Sequence, residues 1–370
     1  MPALSESQVL DALAGVDDPQ IHQGIVELGL VRHVAVGDGR LELVIALVSP
    51  EAAGEMRRRV GAALEGLPGA GPAHLELTTM SDPERDELAQ RLDAGRTAAI
   101  PFAAPGSRTR VLLVASGKGG VGKSSVTVNL AIALARRGRR VCVVDADVWG
   151  FSVPAMLGID RSPTVLGRRI VLPPEAHGVA CASIGFFVRE DQPVVWRGPM
   201  LHKALEQFLT DFWWGEPDFL VVDLPPGTGD ISLSLASFLP RSEAYVVTTP
   251  QPAAQRVAQR AGLMFQSEQI GIAVHGVIEN MSWFTGDDGT RYELFGAGGG
   301  RALAERLGVP LVGQVPLVPA LREGGDAGRP ITVAEPEGEA ATAFAAMARQ
   351  VDEELGPTRR DHPGLRVIGG

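Results

Sequence analysis

The sequence predicts an α/β fold: a doubly wound, mostly parallel sheet, preceded by a small α+β domain. Three observations carry that expectation. Short apolar runs recur between residues 110 and 315, separated by stretches with helical spacing, and that alternation builds parallel sheets. Several runs end in Asp, Asn or a glycine turn, at the strand ends where such sheets place their ligands. Ahead of residue 94 the pattern differs: two strand-like runs meet at Gly37-Asp38-Gly39, a hairpin-type turn.

The small domain is expected over residues 1–93. Ser5 to Ala14 reads as a helix with Leu4, Val9, Leu10 and Leu13 apolar, and Asp17-Asp18-Pro19 ends it. Val31 to Val36 and Leu41 to Val48 read as strands, Glu51 to Leu64 as a helix, Pro68 to Pro72 as a turn and His74 to Thr79 as a strand. Residues 94–108, AGRTAAIPFAAPGSR, hold Gly95, Pro101, Pro105 and Gly106 with no periodicity, and read as a linker. The larger domain is expected over 109–355, with a disordered tail at 356–370.

Its first strand, Arg110 to Ser116, runs into GKGGVGKS, which fits G-x-x-x-x-G-K-[ST] at Gly117, Gly122, Lys123 and Ser124. A loop that wraps a triphosphate turns its backbone N–H groups inward and needs residues without a Cβ; Gly117, Gly119, Gly120 and Gly122 supply the room around Val121. The helix from Ser125 to Arg137 aims its free N–H groups and positive dipole end at the anion, and Gly138 stands at its C-terminal cap. Lys123 is expected on the β- and γ-phosphates and the Ser124 hydroxyl on Mg²⁺. Only three lysines occur, against a strong Arg preference, and two of them, Lys118 and Lys123, lie in this loop. A compact ammonium fits between phosphates where a planar guanidinium does not.

Val141 to Val144 reads as a buried strand delivering Asp145 and Asp147 at its end. Asp147 suits the orienting of an attacking water; Asp145 suits a place near Mg²⁺ or a structural hydrogen-bond acceptor. Phe219 to Val222 ends in Asp223 and then LPPGTGD, the apolar-run-plus-Asp pattern that sets a carboxylate beside the Mg²⁺ water shell. Gly227 and Gly229 allow a switch at the γ-phosphate, and Asp230 is expected as the N-cap of Ile231 to Phe238. Strands follow at Ala244 to Thr248, Ala273 to Glu279 and Leu311 to Val315, with helices at Gln251 to Gln269, Ala302 to Leu307 and Ala340 to Leu355. Asn280 follows a core strand, where its amide can meet an adenine edge or form a turn.

A net charge of −10 argues against free-standing nucleic-acid binding. The opening residues lack a basic region and an apolar core, and no apolar run reaches the ~18 residues of a spanning helix. A cytoplasmic protein with no membrane partner is expected. Two cysteines, Cys142 and Cys181, are too few for a disulfide framework, both read as buried strand residues, and the seven histidines show no ligand spacing.

GKGGVGK[ST] resembles the deviant Walker A signature of the nitrogenase-reductase/MinD/ArsA/Mrp class of P-loop NTPases. The resemblance implies ATP sandwiched in a homodimer, with Lys118 crossing to the partner's nucleotide, and Asn280 on the adenine. Residues 109–331 narrow it: DADVWGFSVPAMLG, WRGPM, DLPPGTGD, GVIENMSWF and LFGAGGGRALA resemble the Mrp/ApbC family of iron–sulfur cluster carrier ATPases. DDPQIHQGIVELGLVRHVAV resembles the small domain fused ahead of such ATPases and found in iron–sulfur assembly factors. That family usually has a cysteine after the second strand; here the run is VSPEAAG, which leaves an interaction or packing module. The resemblance implies ATP and Mg²⁺ as cofactors, a 4Fe–4S cluster, and apo iron–sulfur client proteins or assembly factors as partners. Many members carry C-x-x-C shortly after ENMS. Here the stretch is WFTGDDGTRYELFG, with Asp287 and Asp288 where thiolates stand elsewhere. Three rivals remain: a nucleotide-driven adaptor or chaperone without its own cluster, a MinD/ParA-like positioning ATPase, and a non-catalytic ATP-binding protein.

Overall fold

The computed structural model describes residues 4–37, 40–65, 67, 73–96, 99–167, 170–187 and 198–354. The expected tail at 356–370, the turn at 68–72, Asp38 and Gly39 of the hairpin turn, and Trp196 and Arg197 of the WRGPM string lie outside them. Two compact units form. One holds Met1–Arg96, Pro163–Pro173 and Asp211–Gly215; the other holds Thr97–Ser162, Pro174–Thr210 and Glu216–Gly370.

In the first unit, α1 (Glu6–Leu13) starts at a capping box, the Ser5 hydroxyl accepting from Gln8 N while the Gln8 side chain accepts from Ser5 N. Strands β1 (Val31–Gly37) and β2 (Arg40–Leu47) pair antiparallel, and β3 (Ala73–Thr79) lies parallel to β2 on its other side. Leu41, Leu43 and Ile45 of β2 point inward in strict alternation, and α2 (Ala53–Leu64) buries Met56, Val60 and Leu64 at four-residue spacing. Helix α3 (Asp82–Ala94), which the sequence reading did not foresee, opens on a second capping box: Glu84 Oε2 accepts from Ser81 N at 2.8 Å.

The second unit opens with β4 (Arg110–Ser116), α4 (Lys123–Arg136), β5 (Val141–Asp145) and α5 (Val153–Met156). A hairpin of β6 (Thr164–Leu166) and β7 (Ile170–Leu172) then completes the first unit's core, to which Leu166, Ile170 and Leu172 belong. The contiguous division into 1–93, 94–108 and 109–355 misses this: the small unit takes two pieces from the later chain. Trp213 lies in the second piece, and its indole N–H donates to Ile21 O at 2.8 Å.

The second unit resumes with β8 (Glu175–Ala176), β9 (Val179–Ser183), α6 (Gly198–Asp211), β10 (Phe219–Asp223), α7 (Asp230–Phe238), β11 (Glu243–Thr248), α8 (Pro252–Gln266) and β12 (Ala273–Glu279). A short hairpin, β13 (Phe284–Thr285) and β14 (Arg291–Tyr292), precedes α9 (Gly299–Leu307), β15 (Leu311–Gln314), α10 (Pro319–Asp326), α11 (Ile331–Ala334) and α12 (Glu339–Arg349). The main sheet runs β15-β12-β11-β4-β10-β5-β9-β8, parallel throughout except at β8. Leu112 and Val114 of β4 join the core that α4 and α12 cover, while α8 and α9 pack together on β11 and β12. Both faces of the central strands are thus buried, so they read as continuous apolar runs. Because β10 and β11 flank β4 on opposite sides, the crevice at the C-terminal ends of β4, β5, β10, β11 and β12 is the ligand position for such a sheet.

One cap differs from expectation. The N-cap of α7 is Gly229, and Asp230 is its first helical residue. No helix among the described residues is long and apolar enough to cross a membrane.

Candidate functional site

Residues 117–125 turn from the end of β4 into α4, and their glycines do three different jobs. A Cβ on Gly117 would stand 2.2 Å from the Val257 backbone carbon of α8, so this position admits only hydrogen. Gly122 caps α4 at φ +80°, and a Cβ there would stand 2.1 Å from Asn280 Nδ2. Gly119 and Gly120 face open space, Gly120 at φ +77°, and leave the loop's inner wall clear. Val121 is buried, and Ser125 lies in the first turn of α4, where its carbonyl accepts from Asn129 Nδ2 at 2.9 Å.

Lys123 is buried with its ammonium 2.7 Å from Asp223 Oδ2 and 3.6 Å from Asp147 Oδ2. The Ser124 hydroxyl donates to that same Asp223 oxygen at 2.5 Å. Strand β10 delivers Asp223, α4 delivers Lys123 and Ser124, and the turn after β5 delivers Asp147. The other Asp223 oxygen accepts from Thr127 Oγ1 at 2.7 Å, which fixes the carboxylate's rotation. The sequence reading overlooked Thr127; its place one helical turn past Lys123 was the available signal.

Asp145 is fully buried, and both its oxygens serve the loop beside it. Oδ1 accepts from Asp147 N; Oδ2 accepts from Ser152 N, Val153 N and the Ser183 hydroxyl, at 3.1–3.3 Å. Of the two roles open to it in the sequence, this is the geometry of an acceptor that anchors residues 147–153. Burial, and then the nearby Asp223 carboxylate, pushes its pKa up to about 7. Burial also raises that of Asp147, against the pull of Lys123.

Asn280 is buried at the end of β12. Its backbone N–H donates to Thr248 O at 2.8 Å, and its Nδ2 donates to Val121 O at 2.9 Å, tying it to the glycine loop. Its Oδ1 has no partner among the described residues, a buried acceptor facing no donor. Met281 follows at φ +56°, a left-handed conformation that non-glycine residues rarely take. Lys118 lies one residue into the loop, partly exposed, with its carbonyl accepting from the Ser116 hydroxyl at 3.1 Å. Gly227 N donates to Ser116 O at 2.8 Å, which joins the expected switch to the loop.

The donor set fits a nucleotide with a divalent cation. Backbone room, an ammonium and a helix N-terminus suit phosphate; a hydroxyl and a carboxylate suit a hard cation; an orphaned acceptor suits a base amino group.

The stretch after Asn280 is different. β13 and β14 close on a turn in which Asp288 Oδ1 and Oδ2 accept from Thr290 N and Thr290 Oγ1 at 2.9 and 2.8 Å. Glu339, at the start of α12, accepts from Trp283 Nε1 and Thr285 Oγ1, each at 2.9 Å, and from Arg291 at 3.1 Å. Arg291 stacks on the Trp283 ring, 4.4 Å from its centre. Cys142 and Cys181 are buried in β5 and β9. Burial pushes the Cys142 thiol up to about 12 and raises that of Cys181 as well. An iron–sulfur cluster takes thiolates, so these residues do not fit one.

Residues 107–352 match the family described as NUBPL iron-transfer P-loop NTPase, and residues 6–89 match the iron-sulfur cluster assembly protein family. The chain is 46% identical over 367 residues to the iron-sulfur cluster carrier protein of Mycobacterium tuberculosis, covering 96% of this chain and 94% of that one. It is 39% identical over 358 residues to the protein of the same name from Synechocystis, covering 94% and 97%. Among solved structures, a nucleotide-binding protein in complex with ADP from Archaeoglobus fulgidus aligns at TM-score 0.55 and 31% identity, over 65% of this chain and 97% of that one. The septum site-determining protein MinD complexed with Mg-ADP from Pyrococcus horikoshii aligns at TM-score 0.50 and 26% identity, over 67% and 98%.

Proposed function

The chain belongs to the NUBPL iron-transfer P-loop NTPase family, with an iron-sulfur cluster assembly domain ahead of it, and from that premise we propose that it binds and hydrolyses ATP as a homodimer and uses the cycle to serve iron–sulfur client proteins. The observation that carries this reading is the convergence of Lys123 and Ser124 on one oxygen of Asp223. The carboxylate holds the ammonium that a bound phosphate would take over. A Mg²⁺ bound there neutralises phosphate charge as it develops. Ser124 and Asp223 would hold that ion directly or through water, and Thr127 keeps Asp223 turned toward it. Asp147 stands beside Lys123 and orients the attacking water. Asp145 keeps the Asp147 loop in place from below. Asn280 Oδ1 accepts from the base amino group.

Lys118 completes the site from the other protomer, stabilising charge on the transferred phosphoryl as an arginine finger does. The carrier proteins of Mycobacterium tuberculosis and Synechocystis align with this chain over 94% and 97% of their own length, which supports the iron–sulfur reading over a positioning ATPase.

Equilibrium nucleotide binding and phosphate release test the proposal. Lys123→Ala abolishes ATP binding. Lys118→Ala binds ATP and hydrolyses it at least ~10³-fold more slowly. Ordinary turnover in the Lys118 variant would reject the trans-acting lysine, and a native chain that binds ATP but releases no phosphate would reduce the protein to a nucleotide-binding scaffold.

A further inference from the structure

We infer that this chain lends no thiolate to a cluster, so that any iron–sulfur cargo it helps to move is held by another protein's thiols. The inference deepens the iron–sulfur part of the reading above and rests on it.

The thiol inventory comes first. A 4Fe–4S cluster takes four thiolates. A symmetric pair of chains would have to give two each, from one shared surface. This chain has only Cys142 and Cys181 in its 370 residues. Both are buried, 5% and 0% exposed, in neighbouring inner strands of the main sheet. The register pairs Cys142 with Ala180 and Val143 with Cys181, so the two side chains leave the sheet on opposite faces. Cys181 sits in the core under α4 with Val141 and Val143. No movement short of unfolding β5 and β9 brings both sulfurs to one surface.

The segment where the resemblance expects thiolates is closed by bonds of its own. Trp283, Thr285 and Arg291 all spend their polar groups on Glu339, and Asp288 spends both oxygens on Thr290. Asp287 and Asp288 are hard oxygen donors, poorly matched to the soft iron of a cluster. Among the described residues, no group of three or more His, Cys, Asp or Glu is placed to hold a metal ion. The segment is flanked at both ends by residues in contact with the nucleotide loop or its helix. Asn280 ahead of it bonds to Val121, and Glu339 starts the helix that packs along α4. A hairpin closed by its own bonds and carrying no thiolate suits an adaptor that acts on cargo bound elsewhere.

The test is anaerobic incubation of the full-length protein with ferrous iron, sulfide and a thiol reductant, followed by desalting. Iron and sulfide are counted per chain, and thiolate-to-iron absorption is recorded. The native chain and a Cys142→Ala/Cys181→Ala variant are run together, and ATP binding is measured on both. The expected result is background iron in both, with ATP binding intact. A cluster kept by the native chain and lost in the variant overturns the inference by assigning it to Cys142 and Cys181; a cluster kept by both overturns its second half, since the chain would then hold the cargo itself through oxygen or nitrogen ligands. Absence of ATP binding would sink the nucleotide reading, while the iron count would still decide this one.

Discussion

The glycine loop and the hairpin after Asn280 sit at opposite ends of a scale of constraint. The loop is held from below by buried groups: Lys123, Asp223, Asp145 and Asn280 are all almost fully removed from water. Two of its glycines have no room for a methyl group: Gly117 against the α8 backbone and Gly122 against the Asn280 side chain. The hairpin is held by bonds at the surface, with Arg291 largely exposed and Glu339 about one-third exposed. Buried polar groups are costly to leave unpaired, so a change in the loop reaches every member of its network. Surface bonds exchange with water at little cost. A chain can therefore lose ligands from the hairpin and keep its fold, whereas the nucleotide loop changes only as a whole.

Gly117→Ala should give the largest effect. The added Cβ would meet the backbone of Val257 and Ala258, which cannot swing away as a side chain would. Overpacking of this kind costs roughly 1–3 kcal/mol, and here it must also push the loop off α8. Loss of ATP binding together with a lowered denaturation midpoint is expected. Gly119→Ala is the matched control: its Cβ meets nothing within 4 Å, and stability should hold. Equal loss of stability in the two variants would break the claim that contact with α8, and not glycine content, fixes the loop.

The cysteines come next. A raised pKa means little thiolate at neutral pH, and alkylation goes through the thiolate. Native protein at pH 8 should react with iodoacetamide far more slowly than a free thiol, at both Cys142 and Cys181, and both should react at once in denaturant. Fast labelling of either in the native state would show that β5 or β9 opens, and would weaken the contrast between a sealed sheet and a loose hairpin.

How far each region was legible follows from the same contrast. β4, β5, β10, β11 and β12 were readable because burial on both faces makes them continuous apolar runs, Lys123 and Ser124 because a fixed spacing carries them, and Asp223 because it ends one of those runs ahead of a glycine turn. Asn280 was placed after its strand, but its bond to Val121 joins residues 159 apart and left no local mark. Helix α6 has apolar residues at 201, 205, 208 and 209, a stripe present in the sequence but passed over. Helix α3 is mostly charged and announces itself only through Ser81 and Glu84. The hairpin β6–β7 could not be assigned to the small unit from sequence, because nothing local says which core will take Leu166 and Ile170. Glu339 meets its hairpin partners 48–56 residues away, so that clamp was invisible too.

Glu339→Ala should give the smallest effect and the most informative one. It removes an acceptor shared by Trp283, Thr285 and Arg291, all at the surface, so the global cost should be about 0.5–1 kcal/mol. Amide exchange over residues 284–292 should rise while exchange in α4 stays slow. The native clamp also has a pH signature. Desolvation works against the Glu339 carboxylate, but its three hydrogen-bond donors outweigh this and hold its pKa below 4.5. A lowered pKa contributes stability above 4.5 that is lost as pH falls toward the folded-state value. The hairpin should therefore loosen in acid in the native chain and show no such step in Glu339→Ala. ATP affinity should not change in the variant. If it fell, strain in the hairpin would be reaching Asn280 and Val121, and the two regions would be one device in which the surface clamp helps to set the nucleotide loop.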